Sequence, residues 1–237
     1  ENSANVGELS THVAYATLGG EFGSVTYGLN DNIFYRYIDV FGNLNDVLVH
    51  TLSNANERAR ILNYSSPDLD GFGFEVEAQL QGDDEKKDSG SGVTGDTNNS
   101  SSINAVVYAD LEPVRFHLAY AQGKLQNDNS DGAFGAVAST NIEDVQVSGY
   151  YKDSDIDKSA SWKQKIYGVL AETSYDRVGV RLSAQKVDET TGDSRTEVIG
   201  RVSYDIADNV YVSAEYASYD KAKDAGNGYG LALWYGF

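Results

Sequence analysis

Gly228-Tyr229-Gly230-Leu231-Ala232-Leu233-Trp234-Tyr235-Gly236-Phe237, the last ten residues of the chain, decide the fold class. One set of alternate residues is entirely apolar or aromatic: Tyr229, Leu231, Leu233, Tyr235 and Phe237. A period of two with an unbroken apolar face predicts a β-strand rather than a helix. Soluble domains usually fray at their last residues. Because this bulky face continues to the final residue, we expect it to face an apolar medium.

The same alternation recurs along most of the chain. In the segment 72–81, for example, Phe74 and Val76 alternate with Glu75 and Glu77. The segment 133–140 is the weakest of its kind, since it is short and poor in β-branched residues, but the up-and-down order of strands requires it. Thirteen strands are predicted, at about 11–18, 24–30, 60–67, 72–81, 102–110, 114–122, 133–140, 145–152, 164–175, 178–186, 196–205, 210–218 and 228–237.

Composition limits the classes of protein that remain. The 237 residues include 36 acidic and 18 basic residues, a net charge of −18, so we expect no nucleic-acid partner. Cysteine is absent and the histidines share no ligand spacing, so we expect no metal and no cofactor. No stretch approaches 18 consecutive apolar residues, which excludes a transmembrane helix. A membrane-spanning β-barrel stays open, and the 17 tyrosines suit its interfaces with water.

The connections between the predicted strands alternate in length. Short ones fall at 19–23, 68–71, 111–113, 175–177 and 206–209, and long polar ones at 82–101, 122–133, 152–164, 187–195 and 219–227. Short turns at one end and long loops at the other are typical of outer-membrane barrels. We therefore predict an all-β, transmembrane antiparallel up-and-down β-barrel formed as a single domain by residues 1–237. A soluble β-sandwich remains the alternative.

One connection, at about 31–57, differs from the other long loops because it is apolar and aromatic. Its residues include Ile33, Phe34, Ile38 and Phe41, which a loop in water would not carry together. We expect this segment to fold inward and pack inside the barrel, with a short helical turn near 39–42.

The predicted strand count is odd. In an antiparallel barrel an odd number forces the closing pair to be parallel, and single-chain bacterial barrels have even numbers. We therefore expect the first strands of a longer barrel to be missing from this chain, so that strand 228–237 would close against a partner outside it.

Four segments resemble the general diffusion porins of Gram-negative bacteria. The segment 16–31, ATLGGEFGSVTYGLND, is similar to the glycine-flanked turn and Tyr-Gly strand that precede the constriction loop in that family. The segment 39–42, DVFG, is similar to the acidic part of that loop, and 63–72, NYSSPDLDGF, to the hairpin that follows it. The terminal YGF at 235–237 is similar to the family's assembly signal.

The resemblance implies a sixteen-stranded barrel that forms trimers in the outer membrane, in contact with lipid and lipopolysaccharide. By this match, three strands are missing at the front. It also implies a constriction in which acidic loop residues face basic residues on the barrel wall. The corresponding positions here are acidic Asp39, with Asp31 and Asp46 nearby, and basic Arg58 or Arg60, with His12 in place of a wall arginine.

Alternation predicts which charged side chains line the lumen: Glu75, Glu77, Arg115, Arg181, Glu197, Arg201 and Glu215. We expect passive diffusion of small hydrophilic solutes and ions, with a mild preference for cations because acidic residues outnumber basic ones. The Glu75 and Glu77 pair could suggest glycosidase chemistry. Alternation on a strand that faces a water-filled lumen explains the pair more simply, so we expect no enzymatic activity.

Two other functions remain open at this stage. A channel selective for oligosaccharides would need a ladder of aromatic residues along the lumen, for which the candidates are Tyr108, Tyr150, Tyr211 and Trp234. A barrel without a channel, or a β-sandwich that binds other molecules, is the second alternative.

Overall fold

The computed structural model describes residues 13–42, 47–48, 50–51, 58–81, 102–122, 132–157, 162–189, 194–220 and 226–236. Within these ranges the chain forms thirteen strands and two short helical segments. The strands are β1 Ala14–Gly20, β2 Gly23–Asp31, β3 Arg58–Ser65, β4 Phe72–Gln81, β5 Ser102–Leu111, β6 Val114–Ala121, β7 Gly132–Ile142, β8 Val145–Asp157, β9 Trp162–Tyr175, β10 Val178–Glu189, β11 Arg195–Ala207, β12 Val210–Tyr219 and β13 Gly228–Tyr235.

All thirteen strands belong to one antiparallel sheet in which each strand pairs with its neighbour in sequence, from β1 to β13. This up-and-down order confirms the predicted architecture, including the weakly predicted strand, which is β7. In the described part of the chain, β1 pairs only with β2, and β13 pairs only with β12. Phe237, the last residue of the predicted terminal strand, lies outside the described residues.

The two faces of the sheet differ sharply in character. Tyr229, Leu231 and Leu233 on β13 are 86%, 84% and 69% exposed, and large apolar side chains occupy the same outer face of the other strands. Exposed apolar surface on this scale is not sustained in water, where each 100 Å² costs about 2.5 kcal/mol. The outer face therefore matches the hydrocarbon of a membrane, as expected from the apolar face of the terminal strand.

The inner face carries polar side chains and a small apolar core. The segment after β2 forms helix α1, Ile33–Tyr37, and a 3₁₀ turn, Asp39–Gly42. Ile33, Phe34 and Ile38 are fully buried against wall residues that include Val106 and Val137. The inward fold of this segment and the helical turn at 39–42 were predicted, whereas α1 was not.

Glycines let this segment approach the wall closely. A Cβ atom added to Gly135 on β7 would overlap the side chain of Ile38, and one added to Gly230 on β13 would overlap Val47. The inward segment thus contacts strands on widely separated parts of the sheet. Among the described residues, no helix is long and apolar enough to cross a membrane.

Candidate functional site

The candidate site is the polar inner face of the sheet together with the segment that folds against it. We call this segment the inner loop, defined by its described residues 32–42, 47–48 and 50–51. Three contacts with the wall hold it, one near α1, one at the 3₁₀ turn and one at residues 47–51.

The first contact joins α1 to β4. Asn32 caps the helix, because its Oδ1 atom accepts a hydrogen bond of 2.8 Å from the backbone N–H of Tyr35. Arg36 Nη2 then lies 2.8 Å from Glu75 Oε2, and the Tyr37 hydroxyl donates to Glu75 Oε1 at 2.6 Å. Burial and the adjacent Glu75 carboxylate raise the pKa of Tyr37, so its phenol remains a donor.

The second contact is a buried ion pair between the 3₁₀ turn and β8. Lys152 Nζ lies 2.9 Å from Asp39 Oδ1, and both side chains are at most 1% exposed. The ammonium group also lies 5.2 Å from the centroid of the Tyr150 ring. A buried charge is costly unless it is paired, so each partner requires the other at this position.

The third contact joins residues 47–51 to β11 and β12. The backbone N–H groups of Val47 and Leu48 both donate to Glu215 Oε2, at 3.0 and 2.7 Å. The backbone N–H of Thr51 donates to Glu197 Oε2 at 2.8 Å, and Arg195 Nε lies 2.9 Å from Glu197 Oε1. Charge-assisted bonds of this kind are stronger than neutral ones. The loop is therefore fastened to both β4 and the β11–β12 region.

Toward the short turns, the inner face opens into a groove of about 520 Å³. Its lining includes the acidic residues Glu143 and Asp144 of the β7–β8 turn and the basic residues Arg181 and Arg201. Arg181 Nη2 is paired with Glu172 Oε2 at 2.7 Å. Among the described residues there is no cluster of His, Asp or Glu that could hold a metal ion.

The family model for Gram-negative porins matches residues 1–224 of the chain. The chain belongs to the Gram-negative porin family. It is therefore a channel protein of the outer membrane. A comparison with curated proteins gave no match for this porin.

Solved porins share the fold of this porin at low sequence identity. OmpF of Salmonella typhi in complex with daunomycin superimposes with a TM-score of 0.73 and 17% identity, covering 94% of this chain and 77% of that one. An anion-selective porin from Comamonas acidovorans gives 0.70 and 18%, covering 95% and 72%. OmpT of Vibrio cholerae in a trimer form gives 0.69 and 15%, covering 98% and 82%.

The structure places all seven predicted lumen residues of the porin on the inner face, but in two different environments. Four are carboxylates with at most 6% exposure, found where the inner loop meets the wall: Glu75, Glu77, Glu197 and Glu215. The other three are arginines toward the short turns: Arg115, Arg181 and Arg201. Alternation along the strands assigned these side chains to one face of the sheet, but it did not reveal that the loop covers the acidic ones.

The residues predicted for the constriction are not all brought together. Asp39 lies in the buried pair with Lys152, so its carboxylate is not presented to open lumen. Arg60 is exposed between Ala59 and Ile61, which are fully buried, so it points to the opposite face from the inner wall. Alternation along β3 is regular at this point, since Ala59, Ile61 and Asn63 are buried on the inner face and Arg60 takes an outward position.

The other constriction predictions are only partly described. Asp31 is the last residue of β2, where its backbone oxygen accepts a hydrogen bond from Arg36 Nε at 3.2 Å. Arg58 begins β3 and pairs in register with Asp31. His12 and Asp46 lie outside the described residues.

Sequence reasoning missed several residues that hold the loop, above all Arg36, Lys152 and Thr51. Arg36 follows an apolar segment, and a single basic residue there did not indicate an acidic partner on the wall. Lys152 lies two and four residues after Tyr150 and Ser148 on the same strand, so its place on the same face could have been inferred from the sequence. Its partner could not, because Asp39 is more than a hundred residues away in the chain.

Proposed function

We propose that this porin forms a water-filled channel for the passive diffusion of small hydrophilic solutes and ions. The observation that carries the proposal is the contrast between an apolar outer face and an inner face of carboxylates, guanidinium groups and hydroxyls. A polar lumen inside an apolar barrel admits hydrated solutes and offers little to apolar ones.

We also propose that residues 1–237 act as one porin domain in which the segment 31–57 narrows the lumen. The support is the fastening of the inner loop to β4, β8, β11 and β12, which holds it on the inner face at three points. In this arrangement Asp39 acts on the lumen through the position of the loop and through the balance of charge in its pair with Lys152.

A mild preference for cations is proposed from the charge of the whole chain. Acidic residues number 36 and basic ones 18, and such an excess concentrates cations at the mouths of a channel. The fold does not determine whether a channel prefers cations or anions, since a porin of similar fold from Comamonas acidovorans is anion-selective. A reversal potential in a KCl gradient across a planar bilayer gives the sign directly, and a preference for chloride would contradict the proposal.

We propose a homotrimer embedded in the lipid bilayer, in contact with lipopolysaccharide. The support is the similarity in fold to OmpT, one solved structure of which is a trimer form. Light scattering of the detergent-solubilised protein, corrected for bound detergent, is expected to give three chains per particle. A mass of one chain would contradict this part of the proposal.

An oligosaccharide channel is less well supported. Tyr108 stacks on Tyr37 of the inner loop with ring centroids 6.0 Å apart, and Tyr150 is only 5% exposed. Of the four aromatic candidates, only Tyr211 and Trp234, stacked at 5.6 Å, remain as a pair away from the loop. Swelling of proteoliposomes in isotonic sugars tests both functions: entry that falls smoothly with solute size supports diffusion, and saturable entry of one sugar supports selectivity.

A further inference from the structure

A row of polar side chains on the inner wall passes through the groove toward the short turns and continues to β12. Gln146 pairs in register with Glu172, Glu172 with Arg181, Arg181 with Arg201, and Arg201 with Glu215. Residues directly opposite in a sheet share a face, with Cβ atoms about 5 Å apart. The row therefore crosses four neighbouring strand pairs at one level of the inner wall.

Charge is separated along this row. Glu143 and Asp144 line the groove at the β8 end, and Arg181 and Arg201 line it two and three strands away. Two arginines directly opposite one another repel, which makes a second carboxylate favourable there. Glu172 already accepts from Nε and Nη2 of Arg181, at 2.9 and 2.7 Å. Arg201 Nε lies 3.9 Å from Glu215 Oε1, and the Arg201 guanidinium group lies 5.3 Å from the centroid of the Tyr211 ring.

The dimensions of the groove fix the size of a suitable ligand. Neighbouring strands lie about 4.8 Å apart, so the acidic turn beside β8 and Arg181 on β10 are separated by about 10 Å. An extended chain of three residues spans about 10 Å. The volume of about 520 Å³ accommodates a peptide of this length with small side chains.

We propose that this groove is a binding subsite for short zwitterionic peptides on their way through the channel. The peptide ammonium group lies against Glu143 and Asp144, and its terminal carboxylate lies against the guanidinium groups of Arg181 and Arg201. Ser174 and Ser203, on the same face as Glu172 and Arg201, line the space between and offer hydroxyl partners to the peptide backbone. Because the row lies on the inner face of the sheet, lipid head groups do not reach it.

This inference rests on the proposed diffusion channel and is tested on the full-length protein in planar bilayers. Triglycine is added to a conducting channel, and the half-blocking concentration is measured from the fall in current. N-acetyl-triglycine, which lacks the ammonium group, and triglycine amide, which lacks the carboxylate, are the matched probes. A charge-assisted hydrogen bond in a wet groove contributes about 1 kcal/mol, so each analogue is expected to block about five-fold more weakly than triglycine.

Variants assign the two ends of the subsite. R201Q is expected to raise the half-blocking concentration of triglycine about five-fold while leaving that of triglycine amide unchanged. The double variant E143Q/D144N is expected to weaken triglycine block while leaving N-acetyl-triglycine unchanged. D176N and R177Q are the controls, because these exposed residues of the β9–β10 turn carry the same charges but are not part of the groove lining.

The outcomes separate the subsite from the channel. A protein that conducts no ions overturns the proposed function and the subsite with it. A conducting channel that triglycine and its two analogues block equally overturns the subsite alone, and this comparison needs no variant. Equal weakening by R177Q and R201Q also overturns the subsite, because the effect would then follow net charge rather than position.

Discussion

The Nζ atom of Lys152 on β8 lies 2.9 Å from Oδ1 of Asp39 in the inner loop, and neither side chain is exposed by more than 1%. This ion pair joins a short helical turn to the middle of the barrel wall. Ile38, which immediately precedes Asp39, is fully buried beside it. The pair therefore fixes the place where the loop crosses the inner face.

Breaking this pair on one side is expected to destabilise the porin strongly. K152M leaves the Asp39 carboxylate buried without its cation, which typically costs about 3–5 kcal/mol. Unfolding by urea in lipid vesicles measures the change in the free energy of unfolding. The control K165M removes a half-exposed lysine that lies 3.7 Å from Asp153, and is expected to cost at most about 1 kcal/mol. Equal losses for the two variants would contradict a structural role for the buried pair.

Removal of either partner of this pair is expected to shift the ion selectivity, and the two shifts are expected to have opposite signs. D39N leaves the buried Lys152 ammonium uncompensated and should move the reversal potential toward anions. K152M leaves the Asp39 carboxylate and should move it toward cations, whereas D39N/K152M should stay near the wild-type value. Shifts of the same sign in both single variants would show that loop position, rather than charge, controls the change.

Gly135 on β7 is expected to tolerate no side chain. A Cβ atom at this position would overlap Ile38, whereas one at Gly149 on β8 would meet no atom within 4 Å. Overpacking of this kind typically costs about 1–3 kcal/mol. G135A is therefore expected to destabilise the porin and displace the loop, while G149A stays within about 0.5 kcal/mol of the wild type. Urea unfolding of both variants tests this, and a loss at Gly149 as large as at Gly135 would contradict it.

Glu215 is expected to order residues 47–48 of the inner loop. E215Q replaces the charged acceptor of the Val47 and Leu48 N–H groups by a neutral amide. Loss of the charge should weaken these bonds by about 1.4 kcal/mol, which corresponds to about ten-fold faster local opening. Hydrogen–deuterium exchange of a peptide covering these residues measures the effect. E112Q, in an exposed turn, is the control, and unchanged exchange in E215Q would contradict the assignment.

The strands were predictable from the sequence because polar and apolar residues alternate along them, as side chains alternate between the two faces of a sheet. In β4, Glu75 and Glu77 face inward while Val76 faces outward, and each face has a uniform environment along its length. The direction of every strand followed from the short turns. Even β7, which lacks β-branched residues along much of its length, could be inferred because its neighbours required a strand between them.

The site was less predictable because it depends on contacts between distant residues. Helix α1 has five residues, too few to display a helical period, and two of them are fully buried. Arg60 was assigned to the constriction from the resemblance to porins, although alternation along β3 places it on the opposite face from buried Ala59 and Ile61. The carboxylates of Glu197 and Glu215 were expected to contact water, but they instead accept hydrogen bonds from a loop about 150 residues earlier.

The fastening of the inner loop also has a mechanical consequence. The inner loop binds Glu75 on β4 at one end and Glu215 on β12 at the other. It therefore links two distant parts of the wall across the interior. A sheet resists stretching along its hydrogen bonds but bends readily across them. The connection through the inner loop therefore opposes any bending that would move β4 away from β12. The inner loop would then also preserve the cross-section of the lumen.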